Sequence, residues 1–182
     1  MIFRETEVPG AWVVEIEPIV DERGFFARTY CEAEFRALGL NHGISQSSVS
    51  FNPQAATLRG MHYQLQPEAE TKLVRCVRGR IFDAIVDLRP ESPTFMTWAA
   101  VELTSENRLG LYVPELVAHG FLTLVEDCEV LYQISGRHEP SLAAGVRWDD
   151  PRVGIDWPSR PAVISRRDAG YGDLPEYPGS PS

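Results

Sequence analysis

Ten short runs rich in Val, Ile, Phe, Tyr and Thr, set off by Gly and Pro punctuation, constrain this chain more than any other feature. They are AWVVEI (11–16), GFFARTY (24–30), QSSVSF (46–51), LRGMHYQ (58–64), KLVRCV (72–77), RIFDAIVDL (80–88), TWAAVEL (97–103), LGLYV (109–113), HGFLTLV (119–125) and EVLYQIS (129–135). Many brief strands at close spacing fit a sandwich or a barrel, so the chain reads as all-β. KLVRCV and IFDAIVDL are separated only by Arg78-Gly79-Arg80, a glycine-bearing loop suited to a hairpin. In the second of these, Phe82, Ala84, Val86 and Leu88 share one face, while Asp83 and Asp87 share the other with Ile81 and Ile85. That mixed face predicts a strand covered on both sides. One helical pattern interrupts the series, CEAEFRALGL (31–40), in which Phe35, Leu38 and Leu40 are expected to pack together before NHG ends it.

With 182 residues the chain has the length of one domain and can bury a core without disulfide or metal staples. It is expected to form a single domain, 1–182, with 171–182 a flexible tail rich in Pro and Gly. A net charge of −9 opposes general affinity for nucleic acid or anionic membrane, so an anionic ligand needs a local basic pocket. MIFRETEVPG lacks the apolar run of a signal peptide, and no stretch reaches the ~20 apolar residues of a membrane span. A cytoplasmic protein is expected. Cys31, Cys76 and Cys128 lack CxxC spacing and read as reduced core or strand residues.

His62, inside LRGMHYQ, admits three readings: a hydrogen-bonded interior imidazole, a metal ligand, or a group that moves a proton. The metal reading lacks its partners, because a second histidine two residues on is replaced by Gln64 and His119 alone completes no ligand set. Arg59, Lys72, His119 and Tyr132 also fall at strand positions. Each has a plain alternative: a lysine at a strand start is usually solvated, and Tyr132 shares its face with Val130 and Ile134 as a core tyrosine does.

DERGFF (21–26), LRGMHYQ, KLVRCVRGRIFDAIVDLR followed by SPTF, VPELVAHGF, VLYQIS and GVRWDDPRVGIDWP occur in a telling order and spacing. Across residues 5–168 the chain resembles the dTDP-4-dehydrorhamnose 3,5-epimerase family. The resemblance implies a cupin-type jelly-roll barrel with a few short peripheral helices. It also implies a homodimer with N-terminal segment exchange, acting without metal or redox cofactor on a nucleotide-linked 4-keto sugar.

The chemistry of such a reaction follows from the substrate. A ketone at C4 acidifies the protons on C3 and C5, so a base removes one, the enolate is held, and an acid returns a proton from the opposite face. An imidazole suits the task because it titrates near neutral pH. The resemblance makes His62 the base, Asp168 the carboxylate that orients it, Tyr132 the proton donor and Lys72 the group at the enolate oxygen. For the nucleotide-sugar it implies Arg23, Phe26, Arg28, Gln46, Ser48, Arg59, His119, His138 and Arg167, with Arg23 reaching a partner's site. Strict strand alternation puts Arg59 and His62 on opposite faces, so this set requires a bulge or bend at Gly60. Regular pleating through 58–64 would count against it.

The chain departs from the family where the nucleotide is read. Arg28 stands where a glutamate is usual, Ser48 for asparagine, Ala143 for a second glutamate, His138 for tyrosine and Arg167 for lysine. The segment between Ser48 and Arg59 is one residue longer. Loss of two acidic contacts alters which base fits, whereas proton transfer is expected to be retained. The expectation is epimerisation at C3 and C5 with dTDP as the favoured carrier. Three alternatives stand beside it: a single-centre epimerase or ketoisomerase on a CDP-, GDP- or UDP-linked sugar, a silent sugar-nucleotide-binding cupin, and a metal-dependent cupin enzyme.

Overall fold

The structure, a computed structural model, describes residues 1–174. Each of the ten runs contains a strand, and four further strands of two to four residues stand among them. In chain order these are β1 (Ile2–Glu5), β2 (Trp12–Glu15), β3 (Ile19–Asp21), β4 (Gly24–Phe26), β5 (Gln46–Asn52), β6 (Thr57–Gln64) and β7 (Lys72–Arg78). They continue as β8 (Arg80–Asp87), β9 (Trp98–Thr104), β10 (Gly110–Val113), β11 (Val117–Thr123), β12 (Cys128–Ile134), β13 (Ala143–Gly145) and β14 (Val163–Ile164). Helices α1 (Glu32–Ala37) and α2 (Arg166–Ala169) are short, and no helix among the described residues is long and apolar enough to cross a membrane.

One sheet has the order β1-β2-β10-β7-β12-β5, and the other β13-β6-β11-β8-β9 with β14 running parallel to the start of β6. Val74, Leu111 and Val130 from the first meet Ile81, Ile85, Leu103 and Phe121 from the second in one buried cluster. The result is the cupin-type jelly roll that the resemblance implied. Among the described residues β3 and β4 pair only with each other, and residues 27–30 of GFFARTY find no partner strand.

The expected hairpin at Arg78-Gly79-Arg80 does not form. β7 pairs with β10 and β12, while β8 pairs with β11 and β9, so both edges of each strand are taken. The loop instead carries the chain from one sheet to the other. Gly79, at φ +81°, makes the passage tight: a Cβ there would lie 2.6 Å from Cys128 Sγ.

β8 is covered on both sides, as its mixed faces predicted. Ile81 and Ile85 enter the core between the sheets, while Ala84, Val86 and Leu88 join Met61, Ala118, Val146 and Leu174 in a second cluster on the far side. Residues 171–174, assigned from sequence to the flexible tail, are therefore packed in part: Leu174 is buried and its N–H donates to Asp150 at 2.8 Å. The remainder of that segment, 175–182, lies outside the described residues. In α1 only Phe35 is buried, against Val14, Leu73 and Tyr112, and Leu38 is exposed because the helix ends before its next turn. Cys76 and Cys128 are buried, whereas Cys31 is neither strand nor core but the residue before α1.

Asp87 closes β8 as a fully buried carboxylate. It accepts from Arg89 Nε at 2.8 Å, Ser92 Oγ at 2.6 Å and Thr94 Oγ1 at 2.7 Å. Burial alone would raise its pKa, but these donors outweigh it and hold the carboxyl below the usual range. Its contribution is therefore complete above the ordinary carboxylate range and is lost as pH falls through the depressed value. Asp87→Asn is expected to destabilise the protein by about 3–5 kcal/mol at neutral pH. Urea unfolding at neutral and acid pH checks this: the gap from the parent must shrink in acid.

Candidate active site

One irregularity in β6 assembles the cleft. Arg59 pairs with Phe121 and His62 with His119, so three steps along β6 are matched by two along β11. The extra residue is a bulge, which turns both side chains to the same side. It needs two glycines. Gly60 has φ +138°, and a Cβ on it would sit 2.5 Å from Gly120 Cα; one on Gly120 would sit 2.8 Å from Arg59 O. Arg59 and His62 consequently line one cleft of about 610 Å³.

The outer edge of β6 supplies the partner of His62. β14 pairs with Thr57 and Leu58 and β13 with residues from His62 to Gln64, which leaves Gly60 N–H open between them. Asp168, at the start of α2, fills that gap. Ser165 caps the helix by accepting from Asp168 N–H at 3.0 Å. Asp168 Oδ2 accepts from Gly60 N–H at 3.3 Å, and Oδ1 accepts from His62 Nε2 at 2.8 Å. Burial would raise the carboxyl, but the hydrogen bonds from His62 and Gly60 overcome it and keep Asp168 below its ordinary pKa. A carboxylate can only accept, so Nε2 carries a proton, and in the neutral ring the lone pair that can serve as a base is on Nδ1.

Lys72 and Tyr132 come from the other sheet, on β7 and β12, and line the same cleft. Lys72 Nζ donates to His62 O at 3.1 Å and lies 3.2 Å from Glu70 Oε1. Burial draws the ammonium below its ordinary range, and the carboxylates of Glu70 and Asp83 act against that pull. Tyr132 is raised well above a free phenol, by burial first and by Asp83 second, so it stays protonated and able to donate. His119 Nε2 donates to Asp83 Oδ1 at 2.8 Å, and the His119 ring meets Tyr132 edge-on with centroids 6.1 Å apart.

Three more expected contacts line the cleft. Arg59 Nε is anchored on Asn52 Oδ1 at 2.7 Å, and Arg167 Nε donates to Tyr171 Oη at 2.8 Å. His138 is carried by a loop that Gln64 ties down, through Arg137 O at 2.9 Å and Glu139 N–H at 2.9 Å. The position where a metal ligand would stand is thus spent on shaping the rim.

Five expected residues are not brought to this cleft. Arg23 is paired with Asp21 on the separate β3–β4 hairpin, where Phe26 is 74% exposed. Arg28 lies 3.2 Å from Glu34 on α1. Gln46 donates to Gly136 O at 3.3 Å, and Ser48 is exposed on the edge strand β5. Arg23 and Phe26 belong to the separate β3–β4 hairpin and Arg28 to the segment before α1, whereas Gln46 and Ser48 sit on β5, where Ser50 but neither of them lines the cleft. Sequence reasoning also missed Glu70 and Asp83. Asp83 had left a signal, a carboxylate between two isoleucines on one strand face; Glu70, in a loop, left none.

Residues 5–176 match the family model described as dTDP-4-dehydrorhamnose 3,5-epimerase. A protein of that name from Methanothermobacter thermautotrophicus is 41% identical over 179 residues, covering 97% of this chain and 96% of its own. The crystal structure of a Bacillus anthracis dTDP-4-dehydrorhamnose 3,5-epimerase with TDP and PPi bound superposes with a TM-score of 0.90 at 37% identity, covering 95% of this chain and 99% of that one. A Legionella pneumophila dTDP-6-deoxy-D-glucose-3,5-epimerase in complex with dTDP-4-keto-L-rhamnose gives a TM-score of 0.87 at 32% identity, over 93% and 90% of the two chains.

Proposed function

The chain belongs to the dTDP-4-dehydrorhamnose 3,5-epimerase family, and from that premise we propose that it converts dTDP-4-dehydro-6-deoxy-D-glucose to dTDP-4-dehydro-L-rhamnose by inversion at C3 and C5. It is an isomerase. The observation that carries the mechanism is that His62 and Tyr132 belong to opposite sheets and line one cleft. A sugar ring held between them has a base on one face and an acid on the other.

His62 takes the proton from the carbon beside the ketone, and Asp168 stabilises the imidazolium that forms. The electron pair of the broken C–H bond moves into an enolate whose oxygen accepts from Lys72. Tyr132 returns a proton from the opposite face; His62 then releases its proton to solvent and Tyr132 regains one, which resets both groups for the same cycle at the second carbon. Every step is redox-neutral, so the reaction calls for no redox cofactor. Arg59, Arg167, His119 and His138 are the groups proposed to hold the diphosphate and nucleoside.

The working unit is proposed to be a homodimer. The β3–β4 hairpin exposes Ile19, Val20 and Phe26 at 70, 76 and 74%, more apolar surface than a lone hairpin keeps in water, and it carries Arg23. β5 is an edge strand with Val49 and Phe51 63 and 50% exposed. Hairpin exchange would cover this surface and deliver Arg23 and Phe26 to the partner's cleft.

The decisive assay offers purified protein dTDP-, CDP-, GDP- and UDP-linked 4-keto-6-deoxy sugars in deuterated water. The dTDP sugar is expected to turn over best, with deuterium at both C3 and C5. Faster turnover of another nucleotide would overturn the thymidine assignment and leave the mechanism standing. Label at one carbon alone would make the protein a single-centre epimerase.

A further inference from the structure

Glu70 is a carboxylate in the cleft with no task in the mechanism above. It lies two residues before Lys72 and its Oε1 is 3.2 Å from Lys72 Nζ. An exposed ion pair of this kind would matter little. This one is nearly out of water, with side chains 9 and 11% exposed for Lys72 and Glu70. Lys72 Nζ donates to His62 O and feels the carboxylates of Glu70 and Asp83, while Arg59, His119, Tyr132 and Asp168 line the same cleft. Asp168 Oδ1 is engaged by His62 and Asp83 Oδ1 by His119. Glu70 is thus the anion in direct contact with the ammonium.

We infer that Glu70 is a positioning residue for this reaction, the carboxylate that anchors and charge-balances Lys72 at the enolate oxygen. The inference rests on the role of Lys72 proposed above. An ammonium has three N–H donors. One goes to His62 O and one toward Glu70, which leaves the third for the substrate oxygen. Without Glu70 the amine is free to rotate, and desolvation acts on it with one opposing charge fewer. Aim and charge of the oxyanion donor then decline together.

The test measures deuterium incorporation into dTDP-4-dehydro-6-deoxy-D-glucose against pH for Glu70→Gln, Glu70→Asp and Lys72→Ala. Removing an anion from beside a cation lowers the pH at which the cation loses its proton. For E70Q the alkaline limb of kcat is therefore expected to move down by about one unit, with kcat about tenfold lower at neutral pH and KM changed less than about twofold. Glu70→Asp should recover most of the rate. An unmoved limb, or a rate loss that only parallels a fall in Tm, would make Glu70 structural and overturn the inference. Loss of exchange at every pH in E70Q would make it a proton-transfer group, which also overturns it. Lys72→Ala separates the two levels: wild-type exchange there removes Lys72 from the mechanism and Glu70 with it. An impaired K72A beside an unchanged E70Q removes Glu70 alone.

Discussion

His62→Ala is expected to lower kcat for epimerisation by about 10²- to 10⁴-fold, the usual scale for losing a general base, while dTDP still binds. The imidazole donates from Nε2 to Asp168 and lines the cleft, and alanine ends both relations. Nucleotide affinity should survive because the proposed diphosphate donors are anchored elsewhere, Arg59 on Asn52 and Arg167 on Tyr171. Deuterium exchange read beside a dTDP titration separates catalysis from binding. Wild-type exchange in His62→Ala would remove the dyad from the mechanism.

The second large effect belongs to a residue with no side chain. Gly60→Ala is expected to cost about 3–5 kcal/mol, from a strained backbone conformation and from forced overpacking together. A Cβ at 2.5 Å from Gly120 Cα has no flexible neighbour to displace, and another lies 3.1 Å away at His119 O. Any shift that relieves the contact must open the β6–β11 bulge, so folded protein should also lose exchange activity. Gly172→Ala is the control, since nothing lies within 4 Å of its added Cβ. Urea unfolding gives the comparison: a lower midpoint at unchanged slope for Gly60→Ala and no change for Gly172→Ala. A Gly60→Ala protein of parental stability would mean that the bulge does not depend on glycine.

The bulge links what was legible to what was not. Strand alternation alone puts Arg59 and His62 on opposite faces, and the resemblance requires them together; that conflict locates the deformation at Gly60 from sequence. Gly120, the other half of the device, carries no such signal because its importance lies in facing Gly60 across two strands. The hairpin expected at Gly79 failed for a related reason. A short glycine loop restricts the path of the backbone, but which strand edge is already occupied depends on segments far along the chain, here β10, β12, β11 and β9.

By itself the sequence determined the all-β class, the strand positions, the two-sided burial of β8 and the identity of the cleft groups His62, Lys72, Tyr132 and Asp168. The first three follow from local periodicity, which needs only neighbours in sequence, and the cleft groups from the resemblance to the family. The tertiary structure alone decided that β7 and β8 enter different sheets, that Asp168 meets Gly60 in the gap between β13 and β14, that Glu70 stands against Lys72, and that Asp83 meets His119. Each of these is a contact between groups set by sheet register and burial, and an unpaired charge becomes costly only once the fold has taken it out of water.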